Sequence, residues 1–213
     1  MTKVPVLPKT KFYEGWGLLD LYIDKPDDFE FEPGHFLGVG IEGRALEPYS
    51  IACPSDKHYL RFLISIHENG DLTPYLRTLK TDDLVVIDEE PGGFFDIQKT
   101  TKSNSVYVAT SVGIAPLLSL KSSHPITVVI GGTTIDEILF YLDEISNIRP
   151  EALIYSVASE VAGKHVQDIL TDFIIETHEH FFLCGVPEMI ADVSTRLVRA
   201  EKTWEQIETE VFV

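Results

Sequence analysis

Apolar and polar positions alternate in short runs through the first hundred residues, and the runs end at Pro, Gly, Asp or Asn. "GWGLLDLYI", "GHFLGVGI", "PYSIAC", "YLRFLISIH" and "DLVVID" each read as a strand of half-buried or buried character. Strands of this length at this spacing predict an antiparallel barrel or sandwich. One helical segment interrupts them: "GDLTPYLRTL" sets Leu72, Tyr75, Leu76 and Leu79 at helical spacing behind a cap at Asp71 or Thr73. After the polar stretch "QKTTKSNS", which suits a linker, the rhythm changes. Strands at "VYVAT", "ITVVIGG", "ALIYSVAS" and "HFFLCG" alternate with helices starting near Ile114, Asp136, His165 and Pro187. Alternation of this kind implies right-handed βαβ units, a parallel sheet, and ligands at the carboxyl ends of its strands. The expected organisation is a Greek-key β-barrel domain over residues 1–100 and an α/β domain over 105–213.

Composition narrows the function classes. The 213 residues suffice for two cores, and 44% hydrophobic with 24% charged residues is an ordinary globular balance. Seventeen basic against 34 acidic residues give a net charge of −17, shared by both halves, and the basic residues do not cluster. Nucleic acid and anionic membrane are therefore excluded as expected partners, and a strongly acidic protein partner is disfavoured. No apolar run approaches the ~20 residues that span a bilayer, and "MTKVPVLPKTKF" lacks a signal-peptide core, so the chain reads as cytoplasmic. The two cysteines, Cys53 and Cys184, read as buried thiols and are too few for an iron–sulfur cluster. No metal site is expected: "HEH" at 178–180 has no further ligand near it in sequence.

The stretch "VYVATSVGIAPLLSL" at 106–120 is a buried strand that turns through Gly113 into an apolar helix. Such turns cradle phosphates when several glycines let the backbone approach the anion. Here there is one glycine. Three other stretches join it in order: "EPGHFLGVGIEGRALEPYSIACP", "GDLTPYLRTLKTDDLVVIDEEPGGFFDI" and "FFLCGVPEMIADV", followed by the ending "ETEVFV". Together they resemble the ferredoxin–NADP reductase superfamily, from about Pro33 to Val213.

The resemblance implies FAD on the barrel and a pyridine nucleotide on the α/β domain. It implies that Tyr49 stacks on the flavin, that Ser50 approaches its N5 with Ile51 beside it, and that Gly70, Leu72 and Thr73 meet its pyrophosphate. It further implies that Thr110, Gly113, Ile114 and Pro116 form the nucleotide loop, with Ser159 and Lys164 at the adenosine end. Cys184, Gly185, Pro187 and Met189 would face the nicotinamide, and Glu210 and Phe212 the flavin edge. Ser50, Cys184 and Glu210 are thereby the candidate catalytic residues.

The sequence departs from the family at charged and phosphate-contacting positions. Glu47 stands where the family carries an arginine two residues before the tyrosine, with Arg44 as a substitute or as a partner for Glu47. Thr110-Ser111-Val112-Gly113 replaces a loop with two glycines. Thr133 and Glu160 replace arginines that hold the NADP 2′-phosphate, leaving Lys164, so NADH is preferred over NADPH. Three functions follow. The first is a flavin-dependent oxidoreductase that passes hydride from NAD(P)H to FAD and electrons to an unidentified acceptor. The second is a non-catalytic binding or regulatory module that has lost the cofactor. The third is a flavin carrier that no longer uses nucleotide.

Overall fold

The computed structural model describes residues 1–93 and 95–212; Val213, the last residue of "ETEVFV", and Phe94 of "GGFFDI" lie outside them. Two antiparallel sheets form the N-terminal half. One has the order β1 (Thr2–Pro5), β7 (Leu84–Ile87), β4 (Phe36–Gly40), β5 (Glu47–Ser50); the other has β2 (Lys11–Tyr13), β3 (Leu18–Asp24), β6 (Tyr59–Ser65). Isolated bridges Val6–Ile23 and Ile51–Phe62 join them at both seams, closing a barrel. The pairings β1–β7 and β4–β7 join strands distant in sequence, as Greek-key connections do. Leu21, Ile23, Leu37, Val39, Ile51, Phe62 and Val85 fill the interior.

The C-terminal half is a five-stranded parallel sheet in the order β10 (Leu153–Ala158), β9 (Thr127–Gly132), β8 (Ser105–Thr110), β11 (His180–Gly185), β12 (Ile207–Val211). Period-two alternation divides its side chains between two layers. Val106, Val108, Phe181 and Leu183 pack under α5 (Val166–Ile169), α6 (Asp172–Thr177) and α7 (Pro187–Arg199). Tyr107, Ala109, Phe182 and Cys184 face α2 (Ala115–Leu118) and α3 (Ile135–Ile148), and this second layer continues into Leu18, Ala52 and Leu63 of the barrel. One apolar core therefore crosses between the halves.

The predicted strands from β3 to β11 are present, and five features differ. β1, β2 and β12 are strands that the hydrophobic pattern did not single out. The helix expected over 70–79 is a single turn, α1 (Thr73–Leu76), and the helix expected from Ile114 is a 3-10 turn followed by the one-turn α2. The helix expected from His165 breaks into α5 and α6, because Thr171 caps a new start by accepting from the Ile174 amide. "QKTTKSNS" is a packed connection and not a free linker. Ile97–Thr101 forms a 3-10 turn, and buried Thr100 accepts a 2.9 Å hydrogen bond from the Arg149 guanidinium at the end of α3. That guanidinium is 1% exposed with Nε and Nη1 unpartnered, and burial lowers its pKa to about 10. No helix among the described residues is long and apolar enough to cross a membrane.

Candidate functional site

Two strands from opposite halves meet at one point. β5 carries Ser50 at the barrel surface, buried to 3% exposure, because Ile51 on its other side is drawn into the barrel interior. β12 runs parallel to β11 with Glu210 beside Cys184 and Val211 beside Gly185. Across 160 residues of sequence, the Ser50 hydroxyl donates to Glu210 Oε1 at 2.5 Å. The other carboxylate oxygen, Oε2, is buried with no partner among the described residues. Burial pushes the Glu210 carboxyl above its ordinary value, opposed by the Ser50 hydrogen bond. Burial also holds the Cys184 thiol well above its ordinary value, with the Glu210 charge adding to the shift, so the sulfur is a neutral packing atom and not a thiolate. The three candidate catalytic residues are thus neighbours.

Beside them, at the carboxyl ends of the parallel strands, lies a cavity of about 390 Å³. Thr110, Ser111, Thr133, Ser159, Lys164 and Met189 line it, together with Glu137 and Glu188. It occupies the switch point between β8 and β11, where open parallel sheets bind ligands. Two glycines set how closely the turn after β8 approaches β11. A Cβ on Gly113 would lie 2.2 Å from the Cys184 carbonyl oxygen, and one on Gly185, at φ +144°, would lie 2.2 Å from Thr110 Oγ1. Gly113 therefore serves the close approach of the β8 turn to β11. The strained position of the turn is its neighbour: Ser111 has φ +50°, a left-handed conformation costly for any residue with a Cβ. Glu137 is a site residue with no counterpart among the sequence candidates. Its buried carboxylate accepts from the Thr133 amide at 2.6 Å and from the Tyr141 hydroxyl at 2.9 Å, tying β9 to α3.

Other candidates are placed apart from this centre. Ile51 and Leu72 are buried in the barrel interior, and Ile114 and Pro116 are buried in the layer shared by both halves. The Thr73 hydroxyl is engaged at home, accepting from the His67 amide and donating to the His67 carbonyl, each at 3.0 Å, over Gly70. Pro187 is exposed at the start of α7, and Phe212 packs against the shared layer while its amide donates to the Gly185 carbonyl. Glu160 is exposed and does not line the cavity. Glu47 and Arg44 are not paired with each other. The half-buried Tyr49 hydroxyl donates to Glu47 Oε2 at 2.7 Å, whereas Arg44 reaches the Asp71 carbonyl at 2.8 Å and stacks 3.5 Å over the Tyr75 ring. Burial and the neighbouring Glu47 both raise the Tyr49 phenol pKa.

No protein-family model matches the chain. It is 29% identical over 187 residues to a ferredoxin–NADP reductase from Azotobacter vinelandii, covering 83% of this chain and 67% of that protein. It is 30% identical over 126 residues to methane monooxygenase component C from Methylosinus trichosporium, covering 55% of this chain and 37% of that protein. Among solved structures, a ferredoxin NADP+ reductase from Neisseria gonorrhoeae with bound FAD and NADP superposes with a TM-score of 0.84 at 20% identity, over 99% of this chain and 98% of that one. The relatives and structural neighbours are ferredoxin–NADP reductase and flavodoxin reductase family proteins, and the fold is theirs.

Proposed function

We propose that this chain is a flavoprotein oxidoreductase in which residues 1–100 seat FAD and residues 105–213 seat reduced pyridine nucleotide, with electrons passing on to an acceptor that is not strongly acidic. The observation that carries this reading is the Ser50–Glu210 hydrogen bond joining barrel to α/β half beside a nucleotide-sized cavity. The residues present fit the two groups. Glu210 Oε2 is a buried acceptor with no partner among the described residues, and the cavity walls combine glycines, threonines and one lysine. FAD supplies the two-electron chemistry that these side chains lack.

The chain's own residues orient and supply a proton. Ser50 Oγ and the Glu210 carboxyl form a short donor–acceptor relay at the barrel surface, and the raised Glu210 pKa suits it to holding a proton that passes through the serine hydroxyl. Tyr49, half-buried on the same strand, offers a ring face, and the neutral Cys184 sulfur forms an uncharged wall. Gly113 and Gly185 let the turn after β8 and the end of β11 close on each other.

Purified protein is expected to retain added FAD through gel filtration and to lose flavin absorbance under anaerobic NADH. NADPH is expected to reduce it more slowly in stopped flow at low salt. Among the described residues Lys164 is the one Lys or Arg that lines the cavity, against Glu137 and Glu188, so the additional phosphate meets an unfavourable charge balance. A faster reaction with NADPH would reverse this assignment. A second reading, a non-catalytic module, is favoured by one feature: Glu47 places a carboxylate on the Tyr49 hydroxyl. A colourless protein whose melting temperature ignores FAD would select it.

A further inference from the structure

The turn between β4 and β5 carries Arg44 across the outside of the barrel to the 70–75 loop. Its guanidinium is fixed from two directions, by the hydrogen bond to the Asp71 carbonyl at 2.8 Å and by the Tyr75 ring 3.5 Å beneath it. No carboxylate among the described residues lies within ion-pair distance of it. Three residues on, Glu47 is also held, by the Tyr49 hydroxyl, and is likewise outside any ion pair among the described residues. Two opposite charges three residues apart are therefore each oriented by a different tyrosine, and neither neutralises the other. Stacking and a single carbonyl leave most of the guanidinium donors free, in the planar arrangement that matches phosphate oxygens. Glu47 lies about 10 Å along β5 from Ser50, at a strand rise of roughly 3.3 Å per residue. Arg44 precedes it in the turn that leads into β5.

We propose that Arg44 is the residue that neutralises the diphosphate of the flavin, and that Glu47, held on Tyr49, opposes that charge and sets the affinity for FAD. This rests on the flavin reading above. The resemblance implies a cation at position 47 of β5; here the cation stands in the preceding turn. The phosphate end of the site thus carries one positive and one negative side chain, and flavin affinity depends on which of them the diphosphate approaches more closely.

The test compares dissociation constants of FAD and of riboflavin, which has the same ring and no phosphate, for wild type, Arg44→Gln and Glu47→Gln, by quenching of flavin fluorescence at two salt concentrations. Arg44→Gln is expected to weaken FAD by roughly tenfold or more, with riboflavin unchanged and the salt dependence of FAD binding reduced. Glu47→Gln keeps an acceptor for Tyr49 and is expected to tighten FAD without altering riboflavin. Unchanged FAD binding in Arg44→Gln, or equal loss of FAD and riboflavin, would overturn the assignment while leaving the flavin reading intact. A wild-type protein that binds neither compound would overturn both.

Discussion

Glu210 shows how far a single residue could be read. Its position before the aromatic of the ending, and those of Ser50 and Cys184, came from the resemblance, and the fold brings all three together. What the sequence did not carry is that Glu210 Oε2 is buried and alone, because that depends on strands 160 residues apart. The consequence is measurable. The folded-state pKa lies above the unfolded value, so between the two the native chain binds more protons than the unfolded chain, and stability falls as pH rises through that window. Glu210→Gln keeps the acceptor for Ser50 and removes the ionisation. Without cofactor, the variant is expected to melt higher than wild type at pH 8, by on the order of a few degrees, and to show no such advantage near pH 4. An advantage that is equal at both pH values would mean that the carboxyl is not held protonated by its burial. Arg149 and Glu137 lacked any local signal, since each is defined by a partner on another element or loop, Thr100 and Thr133, whereas Arg44 was weighed beside Glu47 and is held instead by Asp71.

Elements were legible where periodicity was long and uninterrupted. α3 and α7, of 14 and 13 residues, start where expected, and the buried runs of β6, β8, β9 and β11 are strands. β1 and β2, of four and three residues, are too short for alternation to register, and they exist because β7 and β3 offer them edges. β12 does alternate, Ile207, Thr209 and Val211 against Glu208 and Glu210, but four of its five residues are polar or exposed, which masked the pattern. The turn after β8 was the least legible. Its single glycine suggested a weakened phosphate loop, whereas Gly113 is required for packing on Cys184 and the left-handed position falls on Ser111. Ser111→Gly is accordingly expected to stabilise the chain by about 0.5–1 kcal/mol, the strain relieved less the added freedom of the unfolded chain. Urea denaturation monitored by circular dichroism measures it, and a loss of stability would show that the 3.5 Å contact between Ser111 Oγ and the Tyr141 hydroxyl outweighs the strain.

At the scale of the whole molecule, the change of rhythm near residue 100 falls between the antiparallel sheets and the parallel sheet, but the way they join was not visible in the sequence. Beyond the shared apolar layer and the Arg149–Thr100 hydrogen bond, three further side-chain contacts with charged groups cross the junction among the described residues, and they differ in burial. Ser50–Glu210 lies at the site, and Lys99–Glu208 lies at the surface with Lys99 about half exposed. Arg61 of β6, 7% exposed, binds Asp20 of β3 through Nε at 2.7 Å and Nη2 at 2.9 Å and also binds Glu144 of α3. Desolvation raises the Asp20 pKa even against the Arg61 charge, so the arginine is what makes that buried carboxylate tolerable. Arg61→Met keeps most of the apolar stem and strands Asp20, with a cost of about 3–5 kcal/mol. Glu144→Gln leaves the bidentate Asp20 pair whole at a partly exposed position and is expected to cost less, and Lys99→Ala, which removes an exposed pair, roughly 0–1 kcal/mol. Urea midpoints of the three variants give the order directly. If Lys99→Ala proved as damaging as Arg61→Met, exposed charges would be joining the halves; if Arg61→Met cost nothing, the apolar layer through Leu18, Ala52 and Leu63 would be sufficient to hold Ser50 against Glu210.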